Sequence, residues 1–461
     1  MGHRRHLVLL AAIALIATAC GTSTTPTGTA SAPPATSASP GSSPATSPAT
    51  SPAAEATHFT FWTFVDRHAE WWQKRAEAWN AENPDRPIAI DPSVIEYAQM
   101  HDNLAASFVN GSGGPELVDI EIGKFGNFLK GTVHLLDLTA ESQPYVPDLL
   151  ASRLAPYQFG GKQYALDYHL GAYLAFYNTE LLGKAGIDVA SIKTWDDYVA
   201  AGKKFMESQN PNRDADGVWF STIETTDLHT IVGPMLMNGG GFYDANGNLT
   251  ITSPGNEKAL QNAADMVNKD KIAIGSPGGF LHAPEFYAAM QAGKIASFEM
   301  PQWYMTRFPD NMDSLCGKVA IAPMPTYAGQ SFTTSMGGGT GTAVTDQTPA
   351  DKQQLAKDFV TWGKLTKEGQ VSGWTDLGFD PYRPDVYDDP ALQQPDTCFT
   401  DQITFAVIKS ELGDVAPMVM GPKYPAIHDY IAQTLVYDVI VNGVAPADAL
   451  AKMNEAIEAA P

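Results

Sequence analysis

The sequence predicts an α/β layer fold, and three observations predict it. Short segments rich in aromatic and β-branched residues alternate with longer ones whose apolar residues recur at helical spacing, the pattern of a mainly parallel sheet with crossover helices. Glycine and proline separate the two kinds of segment, as at Asn83-Pro84 and from Gly111 to Gly114. Beyond a non-globular N-terminus, roughly 400 residues of ordinary composition remain, enough for two or more domain-sized lobes.

His58 to Phe64 is aromatic and β-branched and predicts a buried first strand. His68 to Glu82 carries Trp71, Trp72, Arg75, Ala76 and Trp79 at helical spacing, and it stops at Asn83-Pro84 because proline cannot continue a helix. Pro87 to Ile90 predicts a second strand and Val94-Ile95 a third short apolar piece. A helix around Met100 to Val109 is followed by a strand from Leu117 to Ile122. Later strands are expected at Tyr173–Tyr177, Val218–Ile223, Ile295–Phe298 and Val319–Ala322. Later helices are expected at 195–206, 256–269, 352–365 and 426–441.

The N-terminus is a leader. His3-Arg4-Arg5-His6 precedes an apolar run from Leu7 to Ala17, and the parts match a secretory signal peptide over residues 1–19. The run is too short to span a bilayer, which takes about 20 residues. Ala17-Thr18-Ala19-Cys20 resembles a lipoprotein lipobox, with Ala17 where Leu, Val or Ile is usual, so Cys20 is expected to be acylated; an ordinary secreted protein cut nearby is the alternative. Residues 20–57 are then almost wholly Ser, Thr, Pro, Ala and Gly, which cannot bury enough apolar surface to fold, and predict a disordered stalk. Both readings place the mature protein outside the cytoplasm.

The formal charge of -22 excludes a nucleic-acid partner, since phosphate binding needs a basic footprint. Of three cysteines, Cys316 and Cys398 are left after Cys20, and an oxidising compartment favours a disulfide between them over two buried thiols. GxSxG, HExxH, P-loop and paired CxxC motifs are absent. The turn with Asp214 and Asp216 matches the first half of a calcium loop but has Ile223 at the twelfth position, so an Asp-rich turn is the better reading and no metal is expected.

An ordered set of short motifs carries a family resemblance over the whole globule. They are Phe61-Trp62-Thr63-Phe64 with His68, Val118 to Phe125, Leu166 to Gly171, Phe176-Tyr177-Asn178, Lys193 to Tyr198, Ser335 to Gly338, and Leu377 to Pro381. The chain resembles group 1 extracellular solute-binding proteins of bacterial ABC importers, and among these the binders of arabinose-containing oligosaccharides. It departs from them at Tyr382-Arg383-Pro384. The resemblance implies a two-lobed periplasmic-binding-protein-like fold with a hinge and an interlobe ligand cleft. Lobe 1 would take residues 58–168 plus 336–384 and lobe 2 residues 169–335 plus 385–461. It also implies a monomer that needs no cofactor, catalyses nothing, and delivers an oligosaccharide to permease subunits from the outer face of the cell membrane.

A sugar presents hydroxyls, which need polar partners, and C–H faces, which lie on aromatic rings. Trp62 ends the first strand, and by resemblance Trp303, beside Tyr304, stands where relatives place a stacking ring. For hydroxyls the candidates are Asp66 and His68 after strand one, Glu121 and Lys124 after the 117–122 strand, and Asp167, Tyr168 and His169 at the first crossover. Asp380 and Arg383 join them from a lobe-1 loop, while Gly337 and Gly338 allow close backbone approach at the second crossover. The alternative function is a lipid-anchored glycoside hydrolase, for which Glu121 and Asp167 are the pair of carboxylates. A metal-delivery lipoprotein fits poorly, because the histidines are scattered.

Overall fold

Residues 54–244 and 246–460 are described by a computed structural model, so the leader, Cys20 and all but the end of the stalk lie outside the described residues. Strand β1 (Thr57–Thr63) leads to helix α1 (Asp66–Glu82), β2 (Ile88–Val94), α2 (Tyr97–Asn110), β3 (Leu117–Glu121) and the single turn α3 (Ile122–Phe125). Next come β4 (Leu166–Asp167), β5 (Tyr173–Asn178), α4 (Trp195–Gln209), β6 (Ser221–Ile223), α5 (His229–Met237), β7 (Ser297–Pro301) and β8 (Val319–Ala322). The chain continues through β9 (Thr340–Val344), α6 (Gln353–Leu365), α7 (Lys367–Leu377), α8 (Thr404–Glu411), α9 (Tyr424–Tyr430) and α10 (Pro446–Ala459).

Two sheets organise the two lobes. The first runs β2-β1-β3-β9-β4 and the second β7-β5-β8. A mainly parallel sheet was expected, and the structure corrects this. Only the β1–β2 and β1–β3 pairs of these sheets are parallel, whereas β9 runs antiparallel to β3 and β4, and β5 antiparallel to both its neighbours. The reason lies in the connections: β9 enters the first sheet from the other lobe, not through a crossover helix. The second strand and the start of the separate Val94-Ile95 piece are one strand, β2, which continues through Pro92 because it lies at the sheet edge, where proline is tolerated.

The tryptophans of α1 pack as its spacing requires. Trp71, Trp72 and Trp79 are buried with Phe59 and Phe61 of β1, and Phe359 of α6 lies 5.1 Å from Trp72. In the second sheet Phe176 of β5 stacks on Phe298 of β7 at 5.0 Å and on Phe308 at 5.8 Å. A disulfide joins Cys316 to Cys398.

The crossings between sheets run side by side. The segment from β4 to β5 pairs with the one that leads into β9, through the Ala172–Met336 bridge and a 2.9 Å bond from the Gly337 N–H to the Gly171 carbonyl. The stretch after α7 joins them, its Asp380 carbonyl accepting from the Leu170 N–H at 2.9 Å. These segments fix where the functional residues meet.

Candidate functional site

Beneath the ends of β1, β3 and β9 lies a buried network whose hub is Asp119. Its carboxylate accepts from Thr63 Oγ1 at 2.8 Å, His68 Nδ1 at 2.8 Å, Thr342 Oγ1 at 2.6 Å and the Tyr168 hydroxyl at 3.0 Å. Burial works against its charge, but the His68 and Thr342 bonds and the Lys364 charge prevail and hold the carboxyl below its ordinary pKa. For His68 burial dominates and lowers the pKa against the pull of Asp119, which leaves a neutral ring donating from Nδ1. His68 stacks on Tyr168 at 4.0 Å, Trp72 Nε1 donates to the Tyr168 hydroxyl at 2.8 Å, and Lys364 sits over the Tyr168 ring. His68 and Tyr168 are thus bound to protein partners, under the cleft floor.

The crossing segments hold three more of the expected residues in the same way. Asp167 is buried against Arg153 at 2.5 Å and accepts from the Tyr168 N–H at 2.7 Å. Asp380 is fully buried and accepts from the N–H groups of Gly171 at 2.8 Å and Ala172 at 2.9 Å, tying the third crossing to the first. Arg383 reaches the Leu365 carbonyl at 2.7 Å, Asp148 at 2.7 Å and Asp385 at 2.8 Å. His169 lies 3.6 Å from Asp380, its ring 4.5 Å from Phe379. Tyr168, Asp167, Asp380 and Arg383, expected as sugar ligands, all have protein partners for their polar atoms. Asp66 is exposed in the first turn of α1, and Trp62 is half-buried on β1.

One wall of the cleft is built on Trp303. The strand β7 ends at Pro301 and turns directly into a 3₁₀ turn, Gln302–Thr306, that presents the half-buried indole. Its Nε1 donates to the Gly337 carbonyl at 3.0 Å, which locks the ring to the second crossing. Gly338 has φ +66°, and a Cβ there would lie 2.7 Å from the indole nitrogen, so the ring and a glycine go together. His282 stacks on Trp303 at 5.4 Å and 11°, and His229 meets its edge at 5.3 Å and 76°. Tyr304 is corrected as a ligand contact: it is buried and its hydroxyl donates to the Leu281 carbonyl, which holds the loop carrying His282.

His229 stands 3.6 Å from both Glu224 and Asp227. Burial alone would lower its pKa, but Asp227 and Glu224 overcome that and raise it to about 9, so the ring is an imidazolium at neutral pH. His282 goes the other way, lowered to about 3 by burial and then by the charge on His229. Glu224 is buried and accepts backbone N–H groups from Thr230 at 3.3 Å and Leu281 at 3.0 Å. The carboxylate and imidazole atoms of Glu224, Asp227 and His229 lie within 4.8 Å of one another, so two carboxylates surround the imidazolium.

Around Glu121, α2 and α3 meet α9. Glu121 caps α3, its Oε2 accepting from the Gly123 N–H at 2.7 Å and the Tyr97 hydroxyl at 3.1 Å. Burial raises its pKa, opposed by the nearby His428 and, across the cleft, His229. Lys124 lies 3.6 Å from Asp429 on α9. Glu121, at the end of β3, and His229, at the start of α5, therefore act on each other.

Of the residues expected at the site, Trp303 lies with Gly337 and Gly338, and Glu121 lies near Lys124 at the end of β3. The structure adds Tyr97, Asp227, His229, His282 and His428. A signal for Asp227 and His229 was present, because a polar run follows the short strand β6 just as Asp66 follows β1. The Asp214–Asp216 turn is closed by protein groups instead: Asn210 takes the Asp214 N–H at 2.8 Å, and the Asp216 carbonyl accepts from Lys294 at 2.5 Å.

Residues 66–370 match the family described as bacterial extracellular solute-binding protein. The chain belongs to that family. It is 37% identical over 407 residues to the arabinooligosaccharide-binding protein of Halalkalibacterium halodurans, covering 88% of this chain and 89% of that one. It is 36% identical over 390 residues to the protein of that name from Bacillus subtilis, covering 83% and 88%. Its fold is similar to that of an ABC transporter associated binding protein from B. animalis subsp. lactis in complex with beta-1,6-galactobiose, with TM-score 0.68, 20% identity, and 87% and 97% of the two chains covered. The cyclic alpha-maltosyl-1,6-maltose binding protein of Arthrobacter globiformis gives TM-score 0.71 at 17% identity, covering 88% and 99%.

Proposed function

We propose that this protein captures a neutral pentose-containing oligosaccharide of the arabinose class between its two lobes and hands it to the permease of an ABC importer. The observation that carries this reading is the 36–37% identity to two arabinooligosaccharide-binding proteins over more than four-fifths of every chain concerned. The cleft supports it: a half-buried indole offers a face for sugar C–H groups, and Glu121, Asp227 and His229 offer charge-assisted partners for hydroxyls. The hydrolase alternative loses its second carboxylate, because Asp167 is buried and paired to Arg153.

Lobe 1 takes 58–168 plus 336–384 and lobe 2 takes 169–335 plus 385–461 in this proposal, and the hinge is the trio of adjacent crossings. Sugar favours the closed state because only there do both walls touch it. The protein is a monomer, anchored through lipid on Cys20 and a stalk over residues 20–57 to the outer face of the cell membrane. The test is calorimetric titration with arabinotriose, xylotriose and maltotriose, with sugar analysis afterwards. Micromolar binding of arabinotriose, about -8 kcal/mol, with no cleavage is expected. Preference for maltotriose would overturn the sugar class, and cleavage would overturn the transport role.

A further inference from the structure

A second cavity lies against the outer edge of β8, lined by none of the cleft residues Trp303, His229 or Glu121. Its volume is about 710 Å³, within the range of small-molecule sites, about 300–1,000 Å³. Ile192, Ala322, Met324 and Val407 make its walls largely apolar, while the exposed Asp188 and Lys193 stand among its lining residues.

The strand edge beside it is sealed against a peptide. The Gln402 side chain accepts from the Ile321 N–H at 2.9 Å and donates to the Ile321 carbonyl at 3.0 Å, standing in for a neighbouring strand. Pro323 has no N–H to offer, and the Met324 N–H donates to Glu411 Oε1. An added strand would find these groups already taken, so the occupant the cavity suits is a small molecule.

The cavity has one buried polar group that is not satisfied. Glu411, the last residue of α8, is 1% exposed and lines the cavity, and its Oε2 has no hydrogen-bond partner. Burial raises its pKa well above the carboxylate range, so it keeps a proton to donate. The Tyr177 hydroxyl and Glu299 Oε1 also lack partners. They share one face of the sheet with cavity residues, since Tyr177 pairs with Ala320, while Ala175 pairs with both Glu299 and Ala322. A buried polar atom left unpaired costs about 1–3 kcal/mol, so a partner for it is favourable.

We propose that this cavity binds a small neutral molecule with an apolar body and a hydroxyl, of the simple phenol class, whose oxygen accepts a hydrogen bond from Glu411. An anion is disfavoured by the net charge of -22, and a cation by a carboxyl whose burial opposes ionisation.

The experiment is titration of the globule with p-cresol, with and without saturating arabinotriose, and X-ray analysis of crystals soaked in p-cresol. Two variants go with it: Val407→Trp, which fills the cavity from a half-buried position on α8, and Glu411→Met, which removes the donor. Millimolar or tighter binding is expected, unaffected by the sugar, and weakened at least about tenfold in both variants. Should Glu411→Met fail to fold by circular dichroism, Val407→Trp decides alone. Absence of binding at about 10 mM, unchanged affinity in Val407→Trp, displacement by arabinotriose, or tighter binding of benzylamine than of p-cresol would each overturn the proposal. Because p-cresol is also titrated without sugar, a protein that ignored arabinotriose would leave this result readable.

Discussion

Replacing His229 by glutamine keeps a polar side chain at the Trp303 wall and removes its titratable charge. The imidazole has its pKa at about 9 in the folded protein, against an ordinary value of 6.5. At about 1.4 kcal/mol per pH unit, that difference is worth on the order of 3 kcal/mol of folding stability. The group is mostly buried, so solvent screening takes little of it away. Its sign follows from which state holds the proton more tightly. The folded chain does, so the full contribution is present below pH 6.5, declines as pH rises, and is lost above about 9.

The assay is a series of melts of the sugar-free protein and of His229→Gln from pH 6 to pH 10. Other groups titrate in that range, but they do so in both proteins and cancel in the difference. The wild type is expected to lose about 3 kcal/mol more than the variant between those limits, and the variant to be the less stable of the two only at the acid end. Parallel profiles would mean that Glu224 and Asp227 do not hold a charged ring, and the electrostatics assigned to that wall would fall.

Trp303→Ala is expected to weaken arabinotriose binding at least tenfold, about 1.4 kcal/mol. Because the ring is half-buried and gives up one hydrogen bond, apo stability should drop by about 2 kcal/mol, short of the roughly 3–5 kcal/mol of a core tryptophan; unchanged affinity would remove Trp303 from the cleft. Asp380→Asn leaves one of two backbone N–H groups facing an amide donor and should cost about 1–3 kcal/mol in apo melting, and an unchanged melting temperature would mean the crossings do not depend on that carboxylate. Cys20→Ala should move the protein from the membrane fraction to the medium or leave an uncut precursor, and a membrane-bound mutant of mature size would exclude the lipid anchor.

What the sequence disclosed follows from range. Local chemistry was legible: the period of Trp71, Trp72 and Trp79 marked a buried helix face, and Thr194 with Asp197 closes a capping box at the start of a helix expected from Trp195. Strand direction was not, because β9 lies beside β3 through a return from the other lobe and no local pattern records that. Asp167 and Tyr168 at the first crossover and Asp380 on a lobe-1 loop were read as partners for sugar hydroxyls, yet a carboxylate that binds sugar and one that ties a hinge look alike in sequence. Only the partners decide, and Arg153, Trp72 and the Gly171 N–H are far away in sequence or invisible as backbone. Asp119 was passed over inside an apolar strand, although a buried acid in such a run already calls for several donors.

The charges of the two walls give the cleft its chemical character. Glu121 contributes to the raised pKa of His229, and His229 in turn opposes the rise at Glu121, so each ionised group favours the other. With Lys124 near Asp429 and Glu224 and Asp227 beside His229, each cation has a carboxylate partner of its own. An anionic or cationic ligand would upset that pairing and gain little for it. Neutral hydroxyls do not: each can donate to a carboxylate or accept from the imidazolium while leaving the pairs intact, and such bonds are roughly twice as strong as neutral ones. A cleft in a strongly acidic protein whose cations already have carboxylate partners is suited to an uncharged ligand rich in hydroxyls, which is the chemistry of an unsubstituted pentose oligosaccharide.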